Sequence, residues 1–137
     1  MVNTSPPRAR PYENPPAEPL PEDDAARKLP GPRYDLTAIQ RLFDSPRIVL
    51  ITPRCQQTVL VRGWTVEDVA DVISYLKPQH YHDSEWCSTS VGMVIDCDSY
   101  VIRVDGRTLV PSATGIETYI KFGCTQSASR LLVVSCH

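Results

Sequence analysis

Apolar and polar residues change places one for one at Ile116, Thr118, Ile120 and Phe122 against Glu117, Tyr119 and Lys121. A period of two is that of a strand with one buried face, and it puts Tyr119 and Lys121 on the side away from Ile120 and Phe122. Small and polar residues from Gly123 to Ser129 return the chain into Leu131–Ser135, a run too short and too β-branched for a helix and read as a buried strand. The two make an antiparallel hairpin closing on His137, the last residue of the sequence. Tyr119, Lys121 and His137 thereby become candidates for one patch.

Upstream the period lengthens. Asp35 is a plausible N-cap, and Leu36, Ile39, Leu42 and Phe43 follow at helical spacing until Pro46. Ile48–Ile51 is a short β-like run. Thr58–Val61 has strand propensity, but Thr52 followed by Pro53 is an N-cap and N1 pair and Gly63 suits the C′ position, so 52–63 is predicted as a helix. Thr65 and Asp68 form a capping box that opens the clearest helix, with Val66, Val69, Ala70, Ile73 and Leu76 on one stripe and Pro78 ending it. A polar loop from Gln79 to Trp86 is expected next. Val91–Asp96 and Ser99–Val104 read as strands, Gly106 turns the chain, and Arg107–Gly115 is a loop. Helices first and strands after predict an α+β fold, N-terminal helices packed on an antiparallel sheet.

Composition divides the chain. Residues 1–33 hold nine of its 13 prolines and almost no large apolar side chains, so this tail is expected to be disordered or extended, with the domain confined to 34–137. A partner-binding arm is the functional reading of the tail and a solvated extension the plainer one. Neither an apolar signal core nor a membrane-length run is present, and a cytoplasmic protein is expected. The tail's five basic and five acidic residues cancel, leaving the whole net charge of −2 on the remainder. A broad basic surface is excluded, so any nucleic-acid contact must be local. Five cysteines, odd in number and without CxxC spacing, are expected as reduced thiols.

The three histidines are His80 and His82 after the main helix and His137 at the end of the last strand. Imidazole both takes and gives a proton near neutrality. Metal-free RNA cleavage needs a base for the 2′-hydroxyl, an acid for the leaving 5′-oxygen and donors for the phosphate. Two histidines with a tyrosine and a lysine supply that set. Zinc on His80, His82, Cys87 and Cys97 is the rival reading, but their spacing follows no ligand pattern. Neither metal nor cofactor is expected.

The order of these pieces resembles the MqsR-type mRNA interferase toxins of bacterial toxin–antitoxin pairs, which have a RelE-like fold, over roughly Tyr34 to His137. Tyr119-Ile120-Lys121-Phe122 looks like the family's Tyr-hydrophobe-Lys-hydrophobe strand, and Val134-Ser135-Cys136-His137 is similar to its closing Val-Ser-Phe-Lys. Asp98-Ser99-Tyr100 resembles its Asp-Val-Tyr, and Tyr81-His82-Asp83-Ser84 falls where the family has Phe-Tyr-Lys-Ser-Met. Two catalytic lysines of the family then fall on His82 and His137, its catalytic tyrosine on Tyr119, and its glutamine on Cys97, which cannot make the same hydrogen bonds. The resemblance implies a cytoplasmic endoribonuclease cutting single-stranded mRNA, held by a cognate antitoxin protein, with His82, His137 and Tyr119 catalytic. Lys121 or Arg103 would contact phosphate, and Tyr81 and Trp86 would stack on bases. A relative that has lost catalysis and kept binding is the alternative.

Overall fold

The computed structural model describes residues 7–17, 20, 22–42, 48–50, 52–89, 93–125 and 130–137. These form four helices and a six-stranded sheet: α1 (Asp24–Arg27), β1 (Lys28–Leu29), α2 (Leu36–Leu42), β2 (Ile48–Leu50), α3 (Pro53–Val61), α4 (Val66–Tyr75), β3 (Tyr81–Ser88), β4 (Val94–Val104), β5 (Ile116–Cys124) and β6 (Leu131–Cys136). The strand order is β1-β3-β4-β5-β6-β2. Every pairing is antiparallel except β2 with β6. The α+β class is as the patterning predicts.

The helix signals act as read. Thr52 accepts from the Cys55 amide at the head of α3, and Gly63 beyond its end has φ 75°, the left-handed conformation that glycine adopts without steric cost. Thr65 and Asp68 close the reciprocal capping box of α4, and Asp35 accepts from the Ala38 amide ahead of α2. Phe43, Pro46, Ile51 and Val91 lie outside the described residues.

One face of the sheet carries the main core, a cluster that includes Val69 and Val72 of α4 with Tyr100, Ile102, Ile120 and Phe122. Tyr100 and Phe122 stack there at 5.7 Å. Ile116, counted with the buried face in the sequence, is 46 % exposed, because it lies at the outer end of β5, opposite Val104.

Two expectations are corrected. The polar loop after α4 is a 3-10 turn, Pro78–His80, followed by an eight-residue strand. Pairing along β4 gives that polar stretch its ladder, so tertiary context overrides its weak propensity. The two predicted runs, 91–96 and 99–104, meet in one strand, Val94–Val104, with Cys97 and Asp98 inside it. In the segment expected to be disordered or extended, the described residues meet the sheet: β1 pairs with β3, and Arg8 and Arg33 both reach Asp96, at 2.7 and 3.1 Å. Asp98 accepts from the Arg33 and Tyr34 amides and from the Ser84 hydroxyl. Charge pairing, which hydropathy does not register, attaches this proline-rich chain.

Candidate functional site

The second face of the sheet carries the candidate chemistry. Tyr119 is held on β5, opposite Val101, and projects away from the helices by simple alternation. The two histidines reach the same face through irregularities in pairing. In β3, Tyr81 lies opposite Tyr100 and Asp83 opposite Ser99, so His82 is the extra residue of a β-bulge. The bulge turns Tyr81 into the core side, edge-on to Tyr100 at 5.8 Å, and leaves His82 exposed beside Tyr119. In β6, Ser135 lies opposite Lys121 and Val133 opposite Phe122, which makes Val134 the extra residue. Val133 and Cys136 therefore both enter the main core, and His137 comes out over Tyr119. Bulges re-aim side chains in this way.

The result is a row of three rings. The His82 ring meets the Tyr119 ring edge-on at 6.1 Å, and His137 stacks on it at 4.9 Å with an interplanar angle of 25°. The Tyr119 amide donates to the His137 carbonyl at 2.6 Å, and the His137 amide donates back to the Tyr119 carbonyl at 2.9 Å. Burial lowers the pKa of His137, and the positive charges of Arg54, Arg62 and Lys121 lower it further. Its cation is therefore less favoured than that of a free imidazole, which suits His137 to accept a proton.

Lys121 shares this face, its ammonium 5.7 Å from the centre of the Tyr119 ring, but it is paired with Glu85. Burial disfavours the charged ammonium, yet the Cys87 sulfur and Glu85 outweigh it and hold the pKa above the ordinary lysine value. Lys28 joins the same network, paired with Asp83 and 3.8 Å from Glu85. Arg103 is exposed on β4, donating to the Gly115 carbonyl at 3.0 Å and lying 3.5 Å from Glu117.

The aromatic platforms are elsewhere. Tyr81 packs against the main core and bonds Ser84 at 2.7 Å. Trp86 faces a cavity lined also by Arg8, Tyr12 and Pro15. Neither is beside the row of rings: alternation along β3 sends Trp86 to the side opposite Glu85, and the bulge at His82 sends Tyr81 there too. Cys97, the counterpart of the family's glutamine, is wholly buried, sharing a hydrogen bond with Cys87. His80 accepts from the Lys77 amide through Nδ1. Among the described residues no group of three or more His, Cys, Asp or Glu is arranged to hold a metal ion.

Residue types and motifs did not single out Arg54 and Arg62. Both lie on or just after α3, and Arg62 donates to the Thr118 hydroxyl at 2.9 Å. Their nearness to His137 follows from α3 packing on β6, which no local pattern announces. Glu85, the partner of Lys121, is visible in sequence as an acid two residues past Asp83, but its match to Lys121 is a matter of register. No family model, curated protein or solved structure matches the chain.

Proposed function

We propose that this protein is an endoribonuclease that cleaves single-stranded RNA without a metal, using His82 and His137 as the acid–base pair on either side of Tyr119. The observation that carries this reading is that both imidazoles contact the same phenol. His137 takes the proton of the ribose 2′-hydroxyl, the 2′-oxygen bonds to phosphorus, and the bond to the 5′-oxygen breaks as His82 supplies that oxygen's proton. The products are a 2′,3′-cyclic phosphate and a 5′-hydroxyl. The Tyr119 hydroxyl orients the phosphate between them, and general acid–base transfer of this kind contributes about 10²- to 10⁴-fold. The resemblance to the MqsR-type toxins, with their RelE-like fold, extends the reading to a cytoplasmic toxin restrained by an antitoxin protein.

The test is incubation of purified protein with single-stranded RNA in EDTA, with analysis of the product ends. Cleavage leaving cyclic phosphates, abolished separately by His82→Ala and His137→Ala, is the expected result. Intact RNA with and without EDTA excludes the enzyme. A second reading, a non-catalytic binding module, is favoured by the pairing of Lys121 with Glu85, which cancels a positive charge beside the rings. It predicts RNA or protein binding with no cleavage.

A further inference from the structure

His137 has a second neighbourhood besides Tyr119. Between the start of α3 and the end of β6 lies a small pocket lined by Arg54, Thr58, Ser135 and His137, with Thr52, Cys55, Val134 and Cys136 completing its wall. Its free volume of about 30 Å³ holds two or three water-sized bodies at about 10–15 Å³ each. That suits the oxygens of a tetrahedral oxyanion. The lining includes hydroxyls, a guanidinium and an imidazole and no Asp or Glu side chain. Arg54 is exposed at its rim, and Arg62 and Lys121 add to the positive potential felt at His137. The Thr52 and Thr58 hydroxyls donate to the Val134 and Arg54 carbonyls, so the groups that can turn to an anion are the Ser135 hydroxyl and the Arg54 guanidinium, a planar cation able to bond two phosphate oxygens at once.

We propose that this pocket seats a phosphodiester group of the bound RNA next to the one that is cleaved, with Arg54 as its principal contact and Ser135 as a hydroxyl donor. The assignment rests on the nuclease reading for the identity of the chain and on the pocket itself for the anion. Because His137 both lines the pocket and stacks on Tyr119, a phosphate seated here and one beside the phenol are neighbours along a strand. Arg54 then acts as a positioning residue, fixing the register of the RNA, and Lys121, tied to Glu85 on the other side of the phenol, does not.

A 2′-deoxy oligonucleotide tests this, since it binds without being cut. Each phosphate contact to a single strand contributes about 0.7 to the slope of log affinity against log salt. Arg54→Ala is expected to reduce that slope by about 0.7, Arg54→Lys to retain it, and Arg41→Ala, on α2, to leave it unchanged. In parallel, inorganic phosphate is expected to shift the His137 ring resonances in the wild type and not in Arg54→Ala. A slope unaltered by Arg54→Ala, or a phosphate response at His137 that survives it, overturns the pocket. A reduced slope in a protein that leaves RNA intact keeps the pocket and removes the nuclease; cleavage with an unaltered slope does the reverse.

Discussion

Tyr119 and His137 are joined twice, once through reciprocal backbone hydrogen bonds of 2.6 and 2.9 Å and once through stacked rings at 4.9 Å. The backbone pair sets the position of the imidazole, and the ring contact sets its tilt. An exposed imidazole that would otherwise sample several rotamers is held over a phenol, which is the pre-organisation that proton transfer requires.

Replacing either imidazole separates chemistry from stability. His82 and His137 are both exposed, so His82→Ala and His137→Ala are expected to change unfolding free energy by no more than about 0.5 kcal/mol. Cleavage is expected to fall about 10²- to 10⁴-fold in each. Urea denaturation beside an RNA cleavage assay checks both; a stability loss matching the activity loss would assign the histidines a structural role.

The pH dependence follows from the lowered pKa of His137. Burial first, and then Arg54, Arg62 and Lys121, disfavour its imidazolium. Between that lowered value and about 6.5 the unfolded chain binds more protons, so this residue's contribution to stability is complete above about pH 6.5 and lost as the pH falls through the folded value. If His137 is the base of the proposed reaction, the same shift favours its unprotonated form, and the acid limb of the kcat/KM profile is expected below about pH 6.5. Arg54→Ala moves that limb to higher pH. A profile flat from about pH 5 to about pH 9 rejects the histidine pair.

The attachment of the proline-rich segment is testable through Asp96, which is buried and bound by Arg8 in a two-pronged pair and by Arg33 and Tyr34. Asp96→Ala strands two guanidinium groups, and a loss of about 3–5 kcal/mol is expected. Arg8→Ala leaves Arg33 on the carboxylate and is expected to cost about 1–3 kcal/mol. Burial alone would raise the pKa of Asp96, but Arg8, Arg33 and Tyr34 hold it below the usual carboxylate value. Its contribution is therefore present above about pH 3.9 and lost as the pH drops further. Chemical denaturation of both variants decides; an Arg8→Ala protein as stable as wild type would return the segment to solvent.

Glu85 restrains Lys121. Glu85→Gln removes the carboxylate while keeping the shape, and frees an ammonium next to Tyr119. Affinity for a single-stranded oligonucleotide is expected to rise about fivefold, equivalent to about 1 kcal/mol, with a steeper salt dependence. Lys121→Met is expected to leave the wild-type affinity nearly unaltered. Titration at two salt concentrations distinguishes this from a lysine that already contacts phosphate.

Local chemistry determined much of this protein from its sequence. Thr52, Pro53, Thr65 and Asp68 mark helix starts because caps act within one turn, and the alternation at Thr118–Phe122 sorts Tyr119 from the core because a strand has two faces. The tertiary structure decided the rest. Strict alternation along β3 and β6 would have aimed His82 and His137 at the helices; single extra residues, His82 itself and Val134, reverse that parity. A bulge exists only relative to a partner strand, so it leaves no mark on the hydrophobic pattern of its own. The same holds for Arg8 and Arg33, whose role appears only when two distant aspartates on β4 come to meet them.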